Sequence, residues 1–586
     1  MKKIKKMTPI RLFVHYPCRR RWDYTFRTMK NALILFQKRS RHTMIKACVK
    51  NQRKTKTKAM RTRKTKLTAI KIERKSRAES NAVSARVKKL GIVTTKLYCS
   101  EEKMSSFEKK KELFETKPVM QAIVSLAFPS VIGQIILVIY NIADTFFVGM
   151  AKSDAMITAV TVCMPAFMFL SAISNLFGVG GASVISRALG KRKEKEATDA
   201  SRFAVWGCLF VTLLYSLGAY LMLDIFVDLL GGSDPSVHYH SKMYMIVTVV
   251  IGGVPTAMNT LLSHLLRAEG RSSYASFGIA IGGILNVILD PLFMFVVLPA
   301  GNEALGAAIA TMISNLIALL YYVLIILKNR KRMIFSAVPK RTMFHADIPR
   351  NIVLIGFPAC LMTLCENISY AILDNLMVAT GTSAQAGIGV AKKVNMLAHS
   401  VVRGMTQGVL PLIGYNYASG NRTRMKKVVF LSGSISLGIA LSCMGVSLLW
   451  NKQLIGLFIQ SNSDSLIYGA KFLKILCLGA PFSAFAYTVI SFFQAVGRSL
   501  YSLILALLRK GILDIPLMFI LNNLYPTFGI VWATPIADFL CCATSVVLFC
   551  GYLKRHGKDK MLPLIAESVS PRSANRILDI SSTSHT

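Results

Sequence analysis

Carboxylates stand inside long apolar runs of this sequence. Asp144 lies near the far end of MQAIVSLAFPSVIGQIILVIYNIADTFFVGM, residues 120–150. A charged side chain at mid-membrane costs roughly 2.5–3.5 kcal/mol, so such a residue is by default a functional-site hypothesis. The plain alternative is a carboxylate in the headgroup region that caps the helix. Asp290 lies in NVILDPLFMF, with Asn286 four residues earlier, and Thr311 ends GAAIAT. Asp374 and Asp514 recur later, joined by Glu366, Asp538 and the bases Lys392, Lys393, Arg509 and Lys510. Oxygen ligands of this kind suit a hard cation such as Na⁺. Two carboxylates sharing a site can instead hold a proton, because like charges disfavour double ionisation.

These side chains need membrane-spanning helices to position them. The chain has 586 residues, 53% of them hydrophobic, and a mean hydropathy of +0.46. About 20 apolar residues span a bilayer. The apolar runs centre on twelve segments, six before a longer loop at 328–350 and six after it. They fall near 119–150, 155–180, 203–230, 243–265, 273–297 and 304–327, then 351–379, 384–412, 428–450, 466–488, 501–523 and 527–553.

The two sets of six repeat one another. FP at 128–129 recurs at 357–358, and Asp144 meets Asp374. GVGGASVISRALG (178–190) has its counterpart in GVLPLIGYNYASG (408–420), and RAEGRSSYAS (267–276) in QAVGRSLYSL (494–503). ILDPLFMF (288–295) echoes ILDIPLMF (512–519), and GAAIAT (306–311) echoes GIVWAT (529–534). Six matches in order mark a duplicated six-span unit. Basic residues crowd the loops after even spans, among them Arg187, Lys191, Arg192, Arg267, Arg271, Lys331, Arg332, Arg422 and Arg498. Loops after odd spans hold Lys152, Lys242 and Lys452. Positive charge stays on the cytoplasmic side, so both termini are expected inside. An even number of spans per half makes the repeat parallel, with a cleft between the halves that can open to either side.

Orientation converts sequence position into depth. At about 1.5 Å rise per residue, Asp144 lies about 8 Å below the outer end of span 1. Asp290 and Thr311 lie about 10 Å below the outer ends of spans 5 and 6. Asn286 shares a face with Asp290, since i and i+4 align on a helix. Four oxygen-bearing side chains from three helices thus reach one layer, where they form either a cation site or a polar cluster that pins the helices. The second half repeats the acids, but Lys510 stands at the position of Asn286, with Arg509 beside it and Lys392 and Lys393 in span 8. Its carboxylates can be neutralised internally, and a paired acid is held ionised.

The net charge of +44 is concentrated at one end: residues 1–103 hold 32 Lys/Arg against 5 Asp/Glu. Like-charge blocks of this sort pack poorly and are normally disordered. A nucleic-acid-binding arm lacks a fold motif beside the charge, and a transit peptide fits poorly with so long and Lys-rich a tail. The favoured reading is sequence upstream of a true start at Met104. The 12 cysteines show no CxxC pair or zinc spacing and mostly lie in apolar runs. His238 and His240 are expected in a solvated outer loop. No nucleophile–base or metal set falls at a common depth, which disfavours a membrane enzyme.

The chain resembles the multidrug and toxic compound extrusion (MATE) family in its bacterial branch, over about 117–553. The resemblance rests on YNIADTFFVG, LFGVGGASVISRALG, NVILDPLFMF, GAAIAT, TQGVLPLIGYNYASGN, FFQAVGR and PIAD, in that order. It implies an all-α membrane protein of twelve transmembrane helices, in two pseudo-symmetric six-helix bundles around a V-shaped cavity. The lobes are expected at 104–334 and 335–556, with a cytoplasmic tail at 557–586. The implied activity is export of amphipathic, often cationic, organic compounds in exchange for Na⁺ or H⁺. It is not an enzymatic activity, and it needs no cofactor beyond the coupling ion. The implied partners are small molecules and membrane lipid, without nucleic acid. The protein is expected to be a monomer in the cell membrane. A lipid-linked oligosaccharide flippase of the same superfamily is the alternative. A major facilitator would want a GxxxDRxGRR-like loop after span 2, where ALGKRKEKE stands.

By this resemblance Asp144, Asn286, Asp290 and Thr311 match the cation-site positions of the N-terminal lobe. Glu366 matches a cation-binding glutamate of another branch, which leaves a second site open within the network of Glu366, Asp374, Lys392, Arg509, Lys510, Asp514 and Asp538. Prolines at 129, 165, 255, 291, 358, 411, 481, 516 and 535 interrupt spans, where each frees a carbonyl and permits a bend. Pro129 is the hinge candidate, because it sits in the helix that carries Asp144. Met164, Phe167, Met168 and Phe169 are candidate cavity lining, against the plainer reading of ordinary helix packing.

Overall fold

The computed structural model describes residues 112–557, apart from 151, 152, 233, 346 and 460–463. The expected tails at 1–103 and beyond 557 lie outside the described residues, as does Lys152. Among the described residues every regular element is helical. Twelve helical passes follow one another, six in each lobe.

In the first lobe span 1 is Val119–Gly149, span 2 Asp154–Gly190 and span 3 Glu194–Leu221. Span 4 joins Pro235–Met245 and the wide turn Ile246–Ile251 to Gly253–Ala268 with a 48° bend. Span 5 is Ser272–Leu292, extended by the wide turn Phe293–Val297, and span 6 is Glu303–Lys328. In the second lobe span 7 is Ile348–Val378, span 8 Thr382–Ala418 and span 9 Arg422–Leu449. Span 10 joins Asp464–Cys477 to Ala480–Val496 with a 44° bend. Span 11 is Ser499–Leu507 and Asp514–Leu524 around the wide turn Leu508–Ile512, and span 12 is Phe528–Gly557. Eight of these helices are individually long and apolar enough to cross a membrane, and the two bent pairs also qualify. The remaining two passes are span 8, which carries Lys392, Lys393 and Arg403, and span 11, broken around Arg509 and Lys510.

Several helices outrun their apolar segments. Span 2 continues to Gly190 and span 9 begins at Arg422, because backbone hydrogen bonding continues into charged turns that hydropathy does not mark. Span 3 ends at Leu221 rather than 230, and the remainder is a separate short helix, Leu223–Leu229. His238 and His240 lie in the helix Pro235–Met245 rather than in a loop, and His238 Nε2 is 3.0 Å from Asp224 Oδ1. No group of three or more potential ligands gathers there or elsewhere among the described residues. The helices of spans 1, 2, 7, 8 and 12 run on through Pro129, Pro165, Pro358, Pro411 and Pro535. The two sharp bends fall instead beside Pro255 and Pro481, at matching places in the repeat.

The lobes meet along spans 1 and 2 of one and spans 7 and 8 of the other, and glycine permits the contact. A Cβ on Gly356 would stand 1.7 Å from the Leu176 carbonyl oxygen, and one on Gly180 would stand 2.1 Å from that of Ile352. These approaches occupy the half of the bundle where the chain enters. There the turn Glu112–Thr116 latches onto the second lobe. Phe114 stacks on Tyr415 with ring centroids 4.9 Å apart, and Arg424 Nε donates to the Phe114 carbonyl at 2.8 Å. Toward the other end the lobes part around a cavity of 270 Å³ lined from both sides.

Candidate functional site

Spans 5 and 6 bring three of the four first-lobe residues into direct contact. Asn286 Nδ2 donates to Asp290 Oδ1 at 3.0 Å and to Thr311 Oγ1 at 3.2 Å. Asp290 is fully buried and Asn286 nearly so. The i, i+4 spacing aligns the first two on one face, and small residues of span 6 such as Ala307, Ala308 and Ala310 let Thr311 approach. Asp290 Oδ2 and Asn286 Oδ1 have no hydrogen-bond partner. Buried acceptors without donors suit a cation or a proton, since unmet buried polar atoms are costly. Asp144, on span 1, is half-buried and within electrostatic reach of Asp290. It also lies within reach of Lys393 on span 8, so a base of the opposite lobe faces this acid.

The first lobe carries a base of its own as well. Arg267, expected in an inner loop, lies in the last turn of span 4 and is 2% exposed. Packing of span 4 against spans 2, 3, 5 and 6 draws it inside, where it donates to Ser130 Oγ of span 1 and to Ser263 Oγ, each at 3.2 Å.

In the second lobe four acids meet four bases. Lys510 Nζ donates to Asp514 Oδ2 at 2.8 Å, and Ser369 and Thr534 add hydrogen bonds to the same carboxylate at 2.6 and 3.0 Å. Arg509 Nε donates to Asp538 Oδ1 at 2.8 Å, and both residues are buried. Lys392 Nζ pairs with Asp374 at 2.5 Å, on a more exposed edge of the site. Arg403 Nη2 donates to Glu366 Oε1 at 2.8 Å and to the Tyr487 hydroxyl at 3.0 Å. The Arg509 guanidinium stacks 4.2 Å from the centroid of the Tyr487 ring. The turn Leu508–Ile512, which carries both Arg509 and Lys510, is a one-turn widening of the helix, a feature common at functional sites.

Sequence reasoning passed over Arg403, although a lone charge in SVVRGMTQGV was there to be read. It also passed over the amides of the cavity wall. Gln134 donates to Gln407 at 3.2 Å and Asn175 to Thr363 at 2.9 Å, both across the lobe interface. Phe167 and Met168 line the 270 Å³ cavity. Phe169 instead packs beside Tyr215 with ring centroids 4.8 Å apart, and Met164 is not among the lining residues.

The MatE family model matches this chain twice, over residues 129–292 and 358–520, once in each lobe. Multidrug export protein MepA of Staphylococcus aureus (strain MRSA252) is 28% identical over 441 residues, covering 74% of this chain and 94% of that protein. Multidrug export protein MepA of Staphylococcus haemolyticus (strain JCSC1435) is 28% identical, covering 76% of this chain and 97% of that protein. Among solved structures, a MATE protein in complex with MaL6 superposes with a TM-score of 0.70 at 23% identity, over 77% of this chain and 99% of that one. The outward-facing conformation of a multidrug resistance MATE family transporter gives 0.70 at 22% identity, with the same coverage. With two matched repeats covering more than half of its length, this membrane-spanning chain belongs to the MatE family of transporters.

Proposed function

We propose that this chain exports amphipathic, often cationic, organic compounds across the cell membrane in exchange for Na⁺ or H⁺, by alternating access of the cavity between its lobes. The observation that carries this reading is the buried Asp290 carboxylate. It has a neutral amide rather than a base one turn away, and one of its oxygens is without a partner. Asp144, Asn286, Asp290 and Thr311 supply oxygen ligands for a hard cation, or a shared site for a proton. Filling that site on one face of the membrane and emptying it on the other would couple the ion gradient to opening of the cleft. Pro129 serves as the hinge of span 1, since a helix lacking that hydrogen bond bends there at little cost. Bending would move Asp144 relative to Asp290 and Lys393.

Dye export in inverted vesicles tests this directly, with an imposed Na⁺ gradient compared with a pH gradient. One of the two should drive uptake of a cationic dye. Transport of a lipid-linked sugar, with no dye movement under either gradient, would overturn the reading in favour of a flippase. On this reading both termini lie in the cytoplasm. A cysteine at Lys452 should then react with an impermeant reagent added outside the cell, and one at Lys331 only with a permeant reagent.

A further inference from the structure

A second chamber of 90 Å³ adjoins the main cavity on its sealed side. It shares Asn175, His264, Arg267, Glu366 and Arg403 with that cavity. Three hydrogen-bond donors in its wall have no partner: Arg267 Nη2, Arg403 Nε and Gln494 Nε2. Arg267 and Gln494 are 2% and 6% exposed. The Glu366 carboxylate is taken up by Arg403 at 2.8 Å. The other two nitrogens of Arg267 go to serine hydroxyls, which carry no charge. One guanidinium charge in the chamber therefore stands unmatched. Burying a charge in this way is costly unless an anion meets it.

The repeat explains why the donors converge. Arg267 opens RAEGRSSYAS and Gln494 opens QAVGRSLYSL, so matching positions of the two lobes face one space from either side. A planar oxyanion between an arginine and an amide can accept from both at once. Phe167 and Met168 lie in the adjoining cavity, where an apolar body attached to that oxyanion would rest.

We propose that this chamber is a carboxylate-binding subsite, built on Arg267 and Gln494, that takes the carboxylate of an amphiphilic or zwitterionic substrate. The proposal rests on the export reading and narrows its substrate class. The probes are rhodamine B, which carries a benzoate group, and its ethyl ester, which does not. Binding of each to the purified full chain is followed by fluorescence polarisation, for the natural sequence, Arg267→Gln and Gln494→Leu. The ratio of affinity for rhodamine B over its ester should fall about tenfold in Arg267→Gln, the effect of losing one charged hydrogen bond, and less in Gln494→Leu. Sodium benzoate should displace rhodamine B from the natural protein more readily than it displaces the ester. An unchanged ratio in both variants, with benzoate competing equally against the two dyes, overturns the proposal. If Arg267→Gln does not fold, the benzoate competition and Gln494→Leu decide alone. Saturable stabilisation by benzoate without discrimination between the dyes would assign the chamber to a free anion and remove the substrate from it. Binding of the ester without any carboxylate effect sinks only this inference, whereas failure to bind or move either dye sinks the export reading itself.

Discussion

The two lobes hold the same three-residue layer and bond it differently. Asn286, Asp290 and Thr311 in the first correspond to Lys510, Asp514 and Thr534 in the second. In the first, an amide bridges the carboxylate and the hydroxyl, and one oxygen each of Asp290 and Asn286 is left without a donor. In the second, an ammonium and two hydroxyls satisfy Asp514 completely. The outer acids differ in the same sense. Asp374 is paired with Lys392 in its own lobe, whereas Asp144 has only the longer-range field of Lys393 from across the cleft. Where the first lobe sets an amide beside a carboxylate oxygen that keeps no partner, the second sets an amine in an ion pair. The repeat keeps the spacing, and under the proposed coupling the change of charge would divide the labour between the two acids.

The largest effect should come from removing Asp290, the acid proposed to exchange the cation. Asp290→Asn should leave a folded, membrane-inserted protein whose gradient-driven dye export is no better than that of empty vesicles. Normal export by this variant would move the coupling site to the other lobe.

Converting one lobe into the other is nearly as severe. Asn286→Lys should place an ammonium one turn from Asp290 and hold it ionised, as Lys510 holds Asp514. Export should be lost while thermal stability in detergent stays close to that of the natural protein. A variant that still couples would show that the amine alone does not fix the carboxylate.

Breaking the fixed pair should act on stability instead. Asp514→Asn strands the buried Lys510 and should cost about 3–5 kcal/mol. Adding Lys510→Met removes the stranded charge and should recover much of the lost stability, with the export of each surviving molecule retained. A stable but uncoupled Asp514→Asn would contradict the division of labour.

Smaller again is the loss of one neutral contact. Thr534→Val removes a single hydrogen bond to Asp514 and should cost about 1 kcal/mol. Thr311→Val, its counterpart, should leave stability unaltered within that margin while weakening coupling. Denaturation midpoints and export rates measured side by side on the two variants test this.

Much of this contrast was legible in the chain. The substitution of Lys510 for Asn286 is visible once the halves are aligned, and the i, i+4 spacing places each beside its acid. The partners from distant helices were not legible. Arg509 and Asp538 lie 29 positions apart, and Glu366 and Arg403 lie 37 apart. Nothing local in the sequence chooses between Asp514 and Asp538 as the partner of Arg509. The Tyr487 ring, stacked against Arg509 and hydrogen-bonded to Arg403, carries no sequence signal of its role. Arg267 was misplaced for a related reason. A basic residue beside a glycine turn reads as loop, and only the packing of span 4 against spans 2, 3, 5 and 6 draws it inside.

The sequence by itself determined the spans, the duplication and which acids lie within the spans. Hydropathy, charge bias and repeat spacing are properties of neighbouring residues and survive without coordinates. The tertiary structure alone decided which charges meet, which donors stay unmatched and where the lobes touch. The close approach of Gly180 and Gly356 to the opposite backbones is of this kind, since it depends on how two helices far apart in the chain lie against one another. Ion pairs and cavities follow from distances of a few ångströms between such helices, and no local pattern records them.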